Sequence, residues 1–242
     1  MNKFRNLILI VFMLFVPSLL LAEGPPAQAQ ASFLHISDPL TLGEGEVRVF
    51  GSVINGYPLG MGIVFDGDVF INAPHQHSDG KWDGDDGNGN VVWACCGHEL
   101  DFDAPDNIAA ATAFEHIVLN WNPHGHPPPD VYTRPHFDFH FYTQSRAGRV
   151  AITAPAADDM CNDNIYDLPI VPLDCDQLDK AMAPLPADQQ PPSHITVGAV
   201  EPAMGNHMID PASPEFNGEE FTHTFIFGTW DGELTFWEPM VT

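Results

Sequence analysis

The chain has 242 residues, with 8 Lys and Arg against 33 Asp and Glu and a formal net charge of −25. So acidic a surface repels phosphate backbones and anionic headgroups, which excludes nucleic-acid binding and disfavours membrane surfaces. The sequence also lacks a glycine-rich phosphate loop, a GxSxG elbow and an HExxH pair, so no nucleotide or flavin cofactor is expected.

Residues 1–22 read as an export signal: Lys3 and Arg5 precede the apolar run Leu7–Phe15, and Ala22 offers a small residue for cleavage. The apolar core is shorter than the roughly 20 residues a membrane helix needs and is interrupted by Pro17. Later sites at Ala29 and Ala31 place the mature start between Glu23 and Ser32, and no Cys follows the run to carry a lipid anchor. The expected product is exported, periplasmic or secreted, with no stable membrane association. Without Lys3 and Arg5, only 6 basic side chains face the 33 acidic ones. Residues 23–45 read as a flexible segment and 46–242 as one mainly β domain.

Val47–Ile54, Asn55-Gly56 and Tyr57–Phe65 form a hairpin pattern, since Asn-Gly between apolar runs favours a two-residue turn. Residues 78–90 form an acidic loop with a calcium-loop flavour. The register fails, because Val91 stands where the glycine after Asp86, Asn88 and Asn90 is needed, and no acidic residue closes the loop. Asn107–Phe114 suits a short helix, and Glu115–Trp121 a strand with Ile117, Leu119 and Trp121 inward. Residues 122–130 are stiffened by Pro123 and Pro127–Pro129 and lead into Pro135–Tyr142. There polar and aromatic residues alternate, as in a half-buried strand with His136, Asp138 and His140 on one face and Phe137, Phe139 and Phe141 on the other. Arg149–Ala154 suggests another strand, and residues 155–193 are Pro- and Asp-rich with a helical turn or two near Cys175–Met182. Four cysteines in an exported chain can pair in three ways. Cys161–Cys175 is the preferred bridge, which leaves Cys95-Cys96 either joined to each other or free.

Phe221–Trp230, Asp231-Gly232 and Glu233–Met240 read as a second hairpin. With a regular two-residue turn, Phe225 faces Glu238, His223 faces Met240, and His223 and Glu238 become diagonal neighbours on an otherwise apolar face. A carboxylate on a core face is costly unless it is paired or bound to metal. Glu238 is therefore a second pointer to a site.

Of the 12 histidines, the set enriched near these features is His124, His126, His136, His140, His207 and His223. A strand rises about 3.3 Å per residue, so His136 and His140 stand about 13 Å apart. Bonds from a transition metal to His nitrogen are about 2.0–2.1 Å, so the two cannot share one ion on an extended strand. His136 or His140 can each share one with Asp138, completed from elsewhere by His207, His126 or Glu238. The metal candidates are thus His126, His136, Asp138, His140, His207 and Glu238. Asp138 or Glu238 could serve as ligand or as proton acceptor in a hydrolytic or oxidative reaction. Imidazoles with a carboxylate suit Zn, Fe, Mn or Cu rather than Ca or Mg. The alternative is a His/Asp/Glu hydrogen-bond network in a non-catalytic module that binds a small ligand or builds an oligomer.

Several blocks carry a resemblance: residues 120–128 (Asn-Trp-Asn-Pro-His-Gly-His-Pro-Pro), Val131-Tyr132, residues 135–142, Met204–His207, Ser213–Gly218 and Phe236–Thr242. Through them the chain resembles a family of exported bacterial proteins classed as a domain of unknown function. The resemblance covers most of residues 46–242 and implies a calycin-like β-barrel, or otherwise a sandwich, and homo-oligomers, with no established activity. The acidic stretch 78–98 departs from the family pattern, so no family role is carried onto it.

Overall fold

The computed structural model describes residues 8–10, 33–85, 91–93, 96–152, 160–161 and 173–242. Most of the expected signal, the Asp86, Asn88 and Asn90 positions, and the side chains of Cys161 and Cys175 lie outside the described residues. Cys96 is disulfide-bonded, which removes the free-thiol option for it. The chain falls into two compact units, residues 1–74 with 102–117 and residues 75–101 with 118–242.

The first unit is built on β1 (Ile8–Ile10), β2 (Phe33–Ile36), β3 (Leu40–Leu42), β4 (Gly45–Ile54) and β5 (Tyr57–Phe65), with the short helices α1 (Val69–Asn72) and α2 (Asp106–Ala109). Its sheet runs β1-β5-β4-β2, with β3 also on β4. The Asn55-Gly56 turn forms as the sequence indicates, with φ of 52° and 80°, the pair of positive values that a tight hairpin turn needs. Val47, Val49 and Val53 of β4 are buried while Glu46 and Ile54 are exposed, the period-two pattern of a strand with one inner face. Strand structure starts before Glu46, inside the stretch expected to be flexible. Ile36 lies opposite Phe50 and Leu40 opposite Val47, and Ser37 ties the bend between them to Val49 through both its main chain and its hydroxyl.

The second unit holds a ribbon of β6 (Gly84–Asp85) and β7 (Val91–Trp93), then β8 (His98–Asp103) and β9 (His116–Asn122), both of which begin or end in the first unit. There follow β10 (His136–Tyr142), α3 (Arg146–Val150), the pair β11 (Met160–Cys161) and β12 (Leu173–Asp174), and α4 (Cys175–Ala181). The chain ends in β13 (Ile195–Glu201), β14 (Gly205–Ile209), β15 (His223–Trp230) and β16 (Glu233–Val241). One seven-stranded sheet runs β13-β14-β15-β16-β10-β9-β8. The β13–β14, β14–β15, β15–β16 and β10–β16 pairs are antiparallel. The protein is therefore mainly β with antiparallel sheets and short helices, and among the described strands no pairing closes either sheet into a barrel.

Three local expectations change. Every residue of β10 is buried, so the strand is covered on both faces rather than half-exposed. On one face Phe137 stacks on Phe139 at 6.1 Å and tilts against Trp121 at 4.5 Å. Burying such rings contributes about 1.5–3 kcal/mol each. Arg149 belongs to a helix and not to a strand, because the Ser145 side chain accepts from Gly148 N–H and caps α3. The Asp231-Gly232 hairpin forms, with Thr229 opposite Leu234, but the register shifts by one residue between Gly228 and Thr229. Beyond that bulge Thr224 faces Met240 and Ile226 faces Glu238, so the whole alternation of β15 is exchanged between faces. His223 is exposed beside Thr222 and is not a neighbour of Glu238 on the core face.

Candidate metal centre

The register of β10 on β16 pairs Asp138 with Met240 and Tyr142 with Phe236, and between them it sets His140 opposite Glu238. His207 stands two strands away, on β14 opposite Gly228 of β15, which in turn lies opposite Phe236. Gly228 carries no side chain, so the His207 ring reaches over β15 to Glu238. The loop after β9 returns His126 to the start of β10, with His126 N–H donating to the Tyr132 carbonyl.

Two groups of three result, His126–His136–Asp138 and His140–His207–Glu238, and in each the ligand-type atoms lie within 4.8 Å of one another. All six candidate residues fall in one group or the other. His136 and His140 are in different groups, as the length of an extended strand requires. His124 is outside both: its ring stacks on His77 at 5.5 Å and its Nε2 lies 2.9 Å from the His75 carbonyl oxygen.

In the first triad Asp138 Oδ1 is 3.1 Å from His136 Nε2, and Oδ2 is 3.3 Å from His126 Nε2. In the second, Glu238 Oε1 is 3.4 Å from His140 Nε2 and Oε2 is 3.5 Å from His207 Nε2. The other ring nitrogens set the tautomers. Nδ1 of His136, His126 and His207 contacts the main-chain oxygens of Arg134, Pro127 and Ala199 at 2.6, 2.7 and 3.1 Å. A carbonyl oxygen can only accept, so each Nδ1 carries the hydrogen, and Nε2 is the atom turned toward a carboxylate. Such an outer bond from a ligating histidine to a carbonyl is the usual support of a metal site. His136 Nε2, Asp138 Oδ1, His140 Nε2 and Glu238 Oε2 are buried without a hydrogen-bond partner.

The separations fit an ion. Metal–ligand bonds of about 2.0–2.1 Å in a tetrahedron put neighbouring ligand atoms about 3.3–3.4 Å apart. Three of the four contacts, at 3.3, 3.4 and 3.5 Å, lie near that spacing and beyond a good hydrogen bond, whereas His136–Asp138 at 3.1 Å is also within hydrogen-bond range. Either triad could therefore hold a metal ion.

Charge distributes unevenly between the two. Burial works to raise the Asp138 pKa, but the His136 and His126 rings overcome it and hold the carboxyl well below the usual range. Burial works to lower His126, and the adjacent Asp138 reverses this and raises it. In the second triad burial pushes His140 down to about 3 and His207 down to about 4. Burial, reinforced by Asp138 and Glu201, pushes Glu238 well above an ordinary carboxyl. Glu201 on β13 is itself pushed up to about 7, by burial first and with Asp138 acting in the same direction. Asp138 and Glu238 are thus buried carboxyls whose negative charge a bound cation would offset.

Two residues were not among the sequence candidates. Asn122, at the end of β9, donates its Nδ2 to Asp138 Oδ2 at 2.6 Å and so fixes that carboxylate. Its place in the 120–128 block was the only signal. Glu201 had none, because a single Glu at a strand end looks like surface. Replacing Asn122 with Ala is expected to weaken metal binding at the first triad by about 10–100-fold while leaving the second triad's affinity unchanged. A competitive chelator titration reads both affinities.

Comparisons with protein-family models, with curated proteins and with solved structures each found no match.

Proposed function

We propose that this chain is an exported β protein that binds a first-row transition metal, Zn, Fe, Mn or Cu, through its His/carboxylate triads. The observation that carries this reading is the pairing of buried carboxylate oxygens with histidine Nε2 atoms, the rings of His126, His136 and His207 being already anchored at Nδ1. Without a cation those atoms have at best a shared proton to hold them together, and burial leaves them no solvent to turn to. Each triad supplies three protein ligands, which leaves a coordination position for a ligand from outside the chain, as catalytic metal sites do. Asp138 and Glu238 would be the groups beside that position able to hold a proton. Export, a calycin-like closure of the antiparallel strands and assembly into homo-oligomers belong to the same proposal, supported by the leader pattern of residues 1–22 and by the family resemblance.

Elemental analysis of the tag-free mature protein tests it. At least one equivalent of a single transition metal per chain is expected after purification or reloading. Less than about a tenth of an equivalent would leave the triads as a polar core network. His140→Ala separates the two in a second way: a metal ligand loses the ion, whereas a network member loses thermal stability equally with and without metal.

A further inference from the structure

The two triads sit in different surroundings. The second is closed: the side chains of His140, His207 and Glu238 are 1, 11 and 2 % exposed. Its three members come from β10, β14 and β16, each held in the ladder of one sheet. Around it Phe236 packs 5.0 Å from both the His140 and His207 rings, and Tyr142 stacks on His140 at 5.7 Å. None of these ligands can leave an ion unless a strand separates from the sheet.

The first triad is open on one side. His136 and Asp138 are 0 and 5 % exposed, but the His126 side chain is 31 % exposed and comes from a loop. That ring is held by a contact to Pro127, the next residue in its own loop, and lies edge-on to His136 at 4.7 Å. The nearby Tyr132 ring, 5.6 Å from His126, has its hydroxyl committed to Glu215 at 3.1 Å. Solvent can therefore reach this triad past His126, and His126 can swing away without breaking a strand pair.

We infer that the protein carries two unlike metal ions: a locked structural ion at His140–His207–Glu238, and an exchangeable ion at His126–His136–Asp138 whose outward position takes a water molecule or a small anionic donor. This rests on the metal-binding reading above and assigns the two triads different work. Asp138 and His140 are alternate residues of one strand, so the ions would be close neighbours, separated by roughly the 6.6 Å of two strand residues. Two buried carboxyls, Asp138 and Glu238, and the partly buried Glu201 are available to offset two divalent charges. Ion release from the locked site requires sub-global opening of the sheet, whereas release past His126 requires only loop motion, so the two rates separate widely.

The test uses the tag-free mature chain loaded with cobalt(II), whose visible absorption reports each site. Two equivalents are expected to bind. Excess EDTA should remove one at least about tenfold faster than the other. Azide, as the probe anion, should change the spectrum of the fast ion alone. His126→Gln should lose the fast ion and the azide response while keeping the slow ion, and His207→Gln should lose the slow one. A single equivalent, two ions released at one rate, or an azide response that survives His126→Gln overturns the division of roles while metal binding itself stands. The rate comparison needs only the wild-type chain, so poor folding of a variant does not remove the test. Failure to bind cobalt or any other metal overturns the metal reading itself.

Discussion

Gly228→Ala is expected to destabilise the protein by about 1–3 kcal/mol through overpacking and to abolish metal binding at the His140–His207–Glu238 triad. A Cβ at position 228 would lie 2.0 Å from Cε1, 2.1 Å from Cδ1 and 2.4 Å from Cγ of Phe236. No flexible chain end takes up that overlap, because the whole Phe236 ring is in the way and is fully buried. The ring also touches Tyr142 at 5.3 Å as well as both histidines of the triad, so moving it displaces the ligands. The added methyl further occupies the strip of β15 over which His207 reaches Glu238. Denaturant unfolding with metal stoichiometry on the same preparations checks both effects. Adding Phe236→Leu should recover part of the stability by making room. A Gly228→Ala protein within about 0.5 kcal/mol of wild type, the scatter of neutral surface changes, and still binding two equivalents would show that the glycine is not what lets the strands meet.

Much of this geometry is legible in the sequence, for reasons particular residues make clear. Asn55-Gly56 and Asp231-Gly232 announce their hairpins because only a few residues accept positive φ at both turn positions, and the structure has both. Alternation in residues 135–142 placed three polar groups on one face, and strand rise alone separated His136 from His140. What no pattern reveals is the bulge between Gly228 and Thr229. A single inserted residue leaves the turn intact and exchanges the faces of everything upstream, so His223 went outward. Glu238 stands out in the sequence because a carboxylate on a core face needs a partner, and its partners are His140 and His207 rather than His223. Long-range pairing is equally silent in the sequence. Nothing local tells that β14 lies two strands from β16, that Asn122 ends beside Asp138, or that Phe33–Leu42 finds the free edge of β4. The helix at Arg149 has a local signal in Ser145, whose side chain caps it, but five residues are too few to show a helical period.

That same Arg149 supports the second large expectation. Arg149→Met should cost about 3–5 kcal/mol, the usual penalty for breaking a buried ion pair from one side. Arg149 and Glu99 are each 1 % exposed and joined at 3.0 Å, and the guanidinium also donates to Asp101 at 3.2 Å and to the Ala203 carbonyl at 3.0 Å. Its remaining faces lie 5.3 Å from the Tyr142 ring and 5.7 Å from Trp82. Burial alone would raise the Glu99 pKa, but Arg149 and then Lys81 outweigh it and hold the carboxyl at about 2, below its ordinary 4.5. A carboxyl depressed on folding adds stability that is fully present above its unfolded pKa and is lost as pH falls toward the folded one. For Glu99 that window runs from about 4.5 down to about 2. Without Arg149 the depression is largely removed, so the gap between wild type and variant should be widest near neutral pH and should narrow by about pH 3. Unfolding measured at both pH values in the presence of a chelator isolates this effect from metal loss. Glu99→Gln combined with Arg149→Met should recover much of the loss, since no bare charge is then left inside. A loss under about 1 kcal/mol, or an equal gap at both pH values, would mean that Glu99 is solvated when its partner leaves. Tyr142 links this ion pair to the second triad, since its ring neighbours include the guanidinium and His140. Arg149→Met should therefore also loosen the locked triad and raise the release rate of the slow ion toward that of the fast one.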